Sequence, residues 1–243
     1  MNILVCGAGV MASFVKESIE SSNHKCVGMY DPLGNGNYKD LKEIVNKIDG
    51  IIDFSHFSLT EEILKYAIEI NSPLVIATTG HTDEQKLKIE EASKKIAILK
   101  ATNTSLGVNI MNQIVSYATK LLADFDIELI EKHHNRKIDA PSGTAVTLLE
   151  VINESFSEKK NFVYGREGNK KREKNEIGVH AIRAGNIVGE HTVIFSSGDE
   201  IIEIKHEALS RKIFADGAVK AILSLTNKPS GLYLMKDILN INN

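Results

Sequence analysis

The sequence predicts an α/β protein, with a doubly wound parallel sheet in its first half and a second, α+β domain of mixed sheet after it. Three observations carry this. Through Ala101, short apolar runs alternate with longer amphipathic stretches, the rhythm of strands joined by crossover helices. Beyond Ser105 that rhythm stops, and three β-branched runs between Ile177 and His206 follow one another at turn spacing. From Ser210 to Leu225 the pattern is helical again. The apolar tail Gly231–Leu239 then needs a surface to pack on, which would return the chain to the first domain.

Taken in order, Asn2–Cys6, Lys25–Tyr30, Gly50–Phe54, Leu74–Thr78 and Ile96–Ala101 read as strands. The intervening helices are expected over Val10–Ser22, Leu59–Glu69 and Asp83–Lys95, the last with Thr82 as N-cap and acids in its first turn. After Ser105 come a helix over Val108–Ala123, a strand over Asp126–Lys132 and a helix over Thr144–Phe156. A tract with Gly165, Gly168, Lys170, Lys171, Arg172 and Lys174 reads as a solvated loop. The runs Ile177–Arg183, Ile187–Phe195 and Ile201–His206 are separated by Ala184-Gly185-Asn186 and Ser197-Gly198-Asp199, which suits antiparallel pairing. The expected division is residues 1–104 with 214–243 as one domain and 105–213 as the other.

Composition narrows the function. The net charge of −3 over 243 residues excludes nucleic-acid binding through overall positive charge. No apolar run approaches the ~20 residues that span a bilayer, and Met1–Cys6 lacks the basic start of a signal peptide, so the expected compartment is the cytoplasm. Cys6 and Cys26 each sit in a strand-like run and read as small buried hydrophobes. Glu190, His191 and His206 lack partners at ligand spacing, so no metal is expected, and His180 reads as a packing residue within a strand.

Gly7-Ala8-Gly9-Val10-Met11-Ala12 fits G-x-G-x-x-A, directly after the first strand and directly before the first helix. In that context the glycines serve a tight turn and close approach to a pyrophosphate, and the helix start favours an anion. Asp31, 22 residues beyond Gly9, ends the second strand, where an acid accepts hydrogen bonds from a ribose diol. The pattern points to a Rossmann-type domain holding a nicotinamide or flavin dinucleotide. Pro32-Leu33-Gly34 follows Asp31 with no adjacent cation, so NADH is expected ahead of NADPH.

A second constellation is His133-His134-Asn135-Arg136-Lys137, followed at once by Asp139-Ala140-Pro141-Ser142-Gly143-Thr144. Two imidazoles, a guanidinium and an ammonium lie beside a proline-led helix start, whose Ser142, Gly143 and Thr144 would expose amides and two hydroxyls to a carboxylate or phosphate. Clustered cations would also lower the pKa of Lys137 and prepare it to give up a proton. The expected chemistry is an anionic substrate plus proton donation.

The run Glu131–Ala145 is similar to the E-x-H-H-x-x-K-x-D-A-P-S-G-T-A signature of the dihydrodipicolinate reductase family, whose members act on 4-hydroxy-tetrahydrodipicolinate. Ala101–Asn109, Ile182–Thr192 and Ser210–Ala218 match further family segments in order, so the resemblance covers nearly the whole chain. It implies a two-domain enzyme that passes a hydride from NADH or NADPH to a cyclic dicarboxylate, with release of water. By position, His133 and Lys137 would be catalytic, with Lys137 the proton donor. His134, Lys137, Ser142, Gly143 and Thr144 would hold the substrate. Gly7, Gly9, Val10, Met11, Asp31, Phe54, Ser55, Thr78, Thr79, Gly80, Ala101, Thr102, Asn103, Thr104, Arg211 and Phe214 would hold the cofactor. The resemblance also implies a homotetramer built through the second sheet, and domain closure during turnover. A different dehydrogenase of a small anion, or a silent dinucleotide-binding sensor, is the alternative that the residues leave open.

Overall fold

The computed structural model describes residues Met1–Ile238 and divides into two compact units, Met1–Leu106 with the residues from Arg211 on, and Gly107–Ser210. Leu239, the end of the expected tail, lies outside the described residues. In chain order the elements are β1 (Asn2–Cys6), α1 (Val10–Ser21), β2 (Lys25–Tyr30), β3 (Gly50–Asp53), α2 (Thr60–Glu69), β4 (Leu74–Ile76), α3 (Asp83–Ser93), β5 (Ala97–Lys100) and α4 (Leu106–Leu121). These are followed by β6 (Asp126–His133), α5 (Gly143–Glu154), β7 (Asn161–Tyr164), β8 (Glu176–Arg183), β9 (Gly189–Ser197), β10 (Glu200–Ala208), α6 (Lys212–Leu225), β11 (Gly231–Tyr233) and α7 (Met235–Ile238).

The first unit is a six-stranded parallel sheet in the order β11-β5-β4-β3-β1-β2. Along β1 the side chains alternate between its two faces. Ile3 and Val5 join the core that includes Ala12, Val15 and Ile19 of α1 and Ala215, Ala218 and Ile222 of α6. Leu4 and Cys6 join the core that includes Ile63 of α2 and Ile89 of α3. Helices therefore cover both faces, as the sequence rhythm requires. α6 carries small residues because it lies close: a Cβ on Gly50 of β3 would come within 2.6 Å of Ile222. Ser18 donates to Asp216 across α1 and α6 at 2.6 Å. Thr82 and Gln85 form the expected cap of α3 as a full capping box.

Three strands, β3, β4 and β5, are shorter than expected, and two were not expected at all. β3 stops at Asp53 and β4 at Ile76, because Phe54 and the segment from Ala77 leave the sheet as loops at its carboxyl edge. β11 and β7 are short edge strands of three and four residues, too brief to show a period.

The second unit is a five-stranded mixed sheet in the order β10-β9-β6-β8-β7. β9 and β10 form the expected antiparallel hairpin. β8 and β9 do not pair with each other: β6 lies between them, parallel to β8 and antiparallel to β9. The connection from Ala184 to Val188 is longer than a two-residue hairpin turn and spans that extra strand.

The register of this sheet builds the core and the site from one surface. Ile127 of β6 lies between Ile177 of β8 and Phe195 of β9, and Leu129 lies between Val179 and Val193. All six belong to the core that includes α4 residues Met111 and Val115 and α5 residues Leu148 and Ile152. Two residues further along the same face of β6 come Glu131 and then His133, both buried.

Candidate active site

In the first unit the expected cofactor residues gather where parallel strands end. Gly7 follows β1 with φ +104°, donates its amide to the Tyr30 carbonyl at 2.8 Å, and has the Phe54 carbonyl oxygen 2.8 Å from where a Cβ would stand. Only glycine suits that position. Gly9 caps α1 without a side-chain bond to the helix start, and a Cβ there would meet nothing within 4 Å. With Val10 exposed and Met11 partly so in the first turn, this open cradle at the positive end of a helix fits a pyrophosphate.

Asp31 accepts from Asn35 Nδ2 at 2.8 Å and from the Leu33 amide at 3.1 Å. These bonds, chiefly the one from Asn35, hold its carboxyl below the usual range. The Lys39 side chain folds back over Gly34, three residues beyond this acid.

The remaining loops are braced from within. Asp53 is buried, which raises its pKa, and its Oδ1 accepts the Ser55 amide at 2.8 Å and the Ser55 hydroxyl at 2.6 Å. Thr78 donates its hydroxyl to the Ser55 carbonyl at 3.2 Å, and Thr104 donates to the Phe214 carbonyl at 2.6 Å. These two hydroxyls tie loops together. Thr79, Gly80 and Thr102 are exposed on the same edge, and Asn103 turns its side chain to accept the Ser105 amide. Arg211 precedes α6, and its carbonyl accepts the Phe214 amide.

The second unit places a charged cluster at the end of β6. Glu131 is 0% exposed and yet carries four hydrogen bonds. Its Oε2 lies 2.5 Å from His133 Nδ1 and accepts Arg183 Nη1 at 2.8 Å. Its Oε1 accepts Arg183 Nη2 at 2.7 Å and the Ser142 amide at 3.1 Å. Burial alone would raise the pKa of Glu131, but His133 and Arg183 overcome it and bring the value down to about 2. Arg183 Nη2 also donates to the Asp139 carbonyl at 2.6 Å, fixing the segment that leads into α5.

Ser142 is the N-cap of α5 and accepts the Ala145 amide on its Oγ at 3.2 Å, with His191 Nε2 2.9 Å away on its other side. His191 is itself buried beside His133, their rings edge to face at 5.2 Å. Burial first, and then the neighbouring His133, drive its pKa down to about 3, so it is neutral.

Two expectations are corrected here. Ser142 does not present its hydroxyl, because the residue is 2% exposed and engaged on three sides. Exposed Gly143 and half-buried Thr144 offer the helix start instead, and a Cβ on Gly143 would meet nothing within 4 Å. Lys137 does not stand among cations alone: its Nζ contacts both carboxylate oxygens of Asp139 at 2.8 Å. His134 is half-buried on the same loop, and its carbonyl accepts the Lys137 amide.

The residues that sequence reasoning left without a role are Glu131, Arg183, His191 and Asp139. The sign available was the strand period, which puts Glu131 and His133 on one face of β6. His180, read as a packing residue, is satisfied by Glu128 at 2.9 Å. Glu190 holds Lys132 at 2.6 Å and Lys205 at 3.1 Å. The expected solvated tract is an exposed loop apart from Arg172, which donates to Asp126 at 2.6 Å and to the Glu176 carbonyl at 2.8 Å.

Comparison with known proteins follows the same two-part division. Residues 1–104 match the family model described as dihydrodipicolinate reductase, N-terminus, and residues 107–239 match its C-terminus. The chain is 47% identical over 240 residues to the 4-hydroxy-tetrahydrodipicolinate reductase of Brachyspira hyodysenteriae, covering 98% of this chain and 100% of that protein. It is 43% identical over 245 residues to the enzyme of that name from Alkaliphilus metalliredigens, covering 99% and 100%. A dipicolinate-bound dihydrodipicolinate reductase from Paenisporosarcina sp. TG-14 shares the fold, with a TM-score of 0.77 at 22% identity over 100% of this chain and 99% of that one.

Proposed function

The chain belongs to the dihydrodipicolinate reductase family, and from that premise we propose that His133 and Lys137 carry its proton chemistry while the start of α5 holds a substrate carboxylate. The activity is reduction of 4-hydroxy-tetrahydrodipicolinate to tetrahydrodipicolinate with release of water, in lysine and diaminopimelate biosynthesis. The observation that carries the site assignment is the open helix start at Gly143, with Lys137 and His133 supplied by the same run and each held by a carboxylate.

When bound, the reduced nicotinamide supplies the hydride. Gly7, Gly9 and the first turn of α1 would hold its pyrophosphate, and Asp31 its ribose diol. On the substrate side, the α5 amides at Gly143 and Thr144 receive a carboxylate at the positive end of the helix. Lys137 exchanges Asp139 for the second substrate carboxylate and gives up one proton from Nζ as the hydride arrives. Loss of the ring hydroxyl with a hydrogen from the adjacent carbon, as water, leaves a carbon–carbon double bond. The proton from Lys137 together with one hydride saturates it, so the ring gains two hydrogens and loses one water. His133 stands beside this transfer with Nε2 as its reactive nitrogen.

The ionised Asp31 opposes a 2′-phosphate, so NADH serves ahead of NADPH, with Lys39 over Gly34 keeping NADPH usable. Assembly as a homotetramer is supported by exposed Ile201 and Ile202 on the outer strand β10. Sedimentation equilibrium at micromolar concentration should give a tetramer, and a monomer there removes the claim.

The deciding experiment measures NADH oxidation with substrate generated in situ from pyruvate and aspartate semialdehyde. Rapid, substrate-dependent oxidation is expected, faster with NADH than with NADPH. Lys137→Ala and His133→Ala should each lower kcat by roughly 10²–10⁴-fold. Near-normal turnover in both variants would overturn their roles.

A further inference from the structure

We propose that Glu131 is a positioning residue for the reductase chemistry: its buried carboxylate fixes the proton of His133 on Nδ1 and leaves Nε2 as the nitrogen presented to substrate. This rests on the reading of His133 as a residue that acts on substrate.

The argument begins with hydrogen-bond capacity. An ionised carboxylate only accepts, at about four sites. Those of Glu131 are filled by His133 Nδ1, the two Arg183 nitrogens and the Ser142 amide. Glu131 therefore has no capacity left for a ligand, and at 0% exposure no path to one. It acts through its neighbours.

Because Glu131 can only accept, His133 Nδ1 must be the donor in the 2.5 Å contact. The ring is held on its other flank as well. A Cβ on Gly189 would stand 3.1 Å from His133 Nε2, so glycine at the start of β9 keeps that side of the ring uncrowded. A single carboxylate thus links the catalytic imidazole, the cap of the carboxylate-binding helix and, through Arg183, the Asp139 backbone beside Lys137. Stability alone does not explain such an arrangement, since buried ion pairs are often replaceable by apolar residues without loss. Orientation of a catalytic group by a buried carboxylate is worth far more.

The test is a double-mutant cycle of Glu131→Gln with His133→Ala, read as kcat and KM. Glutamine keeps the oxygen that receives the Ser142 amide but offers an N–H where His133 needs an acceptor. Glu131→Gln alone should lower kcat by roughly 10²-fold, with KM changed far less. In the His133→Ala background it should lower kcat no further. An equal loss with and without His133 would overturn the proposal. If His133→Ala itself leaves kcat unchanged, the failure lies instead with the catalytic reading of His133. Nitrogen-15 spectra of the histidine-labelled wild-type protein give a readout that needs no variant to fold. Nδ1 of His133 should carry a proton, and a bare Nδ1 would sink the proposal.

Discussion

The two units build their sites from different material. In the first, the proposed binding groups are backbone: a glycine turn at φ +104°, an open helix start, and loops at the ends of parallel strands. Its side chains, Asp53, Ser55, Thr78 and Thr104, brace those loops from inside. In the second, the candidate site is framed by side chains that three strands bring together, Glu131 from β6, Arg183 from β8 and His191 from β9. A backbone site tolerates side-chain change wherever glycine geometry is kept. A buried charge network tolerates almost none, because each member satisfies another.

Paired substitutions should expose that difference. Arg183→Ala leaves the Glu131 carboxylate buried without its bidentate partner, the situation that typically costs about 3–5 kcal/mol. Gly7→Ala places a side chain at positive φ against the Phe54 carbonyl, a strain of roughly 1–3 kcal/mol. Urea denaturation of both variants should rank Arg183→Ala as clearly the more damaging. In NADH titrations the order should reverse, with Gly7→Ala losing affinity and Arg183→Ala retaining it. Equal damage from both, in both measurements, would break the distinction between the units.

The same difference decides what could be read from the chain. The dinucleotide turn was legible because glycine needs are local: Gly7, Gly9 and Asp31 declare themselves by spacing and by position after a strand. The proposed catalytic run could be marked out in the chain because His133, Lys137 and the α5 start are contiguous. Arg183 and His191 lie 52 and 60 residues beyond Glu131, and only register brings them to it. That register was obscured because β8 and β9 look like a hairpin in sequence, whereas β6 is inserted between them. Ser142 shows the converse error. Its residue type and helix-start position suggested an exposed hydroxyl, while the capping bond to Ala145 and the Glu131 contact draw it inside.

The smallest effect sharpens the comparison by pH. His191 has an ordinary value of 6.5 that burial, assisted by His133, lowers to about 3, while Glu131 acts in the opposite direction and His206 and Lys137 in the same one. Between those values the unfolded chain binds a proton that the folded chain refuses. Stability from the neutral imidazole is therefore complete above pH 6.5 and falls as the pH drops toward 3, by about 1 kcal/mol per pH unit for one group. Unfolding midpoints in urea at pH 7 and pH 5 should show the loss. His81 and His206 are also lowered by burial and contribute with the same sign. His191→Gln, which can still meet Ser142 with an N–H, should remove the His191 share and flatten the dependence. Between pH 7 and pH 5 the Glu131 carboxylate adds little to this slope, because its unfolded value of 4.5 lies below that window; only at lower pH, between 4.5 and about 2, does it add a loss of the same sign. An unchanged slope in His191→Gln would mean that His191 reaches water in the folded protein, and the contrast between an open backbone site and a sealed side-chain site would fail at its most buried imidazole.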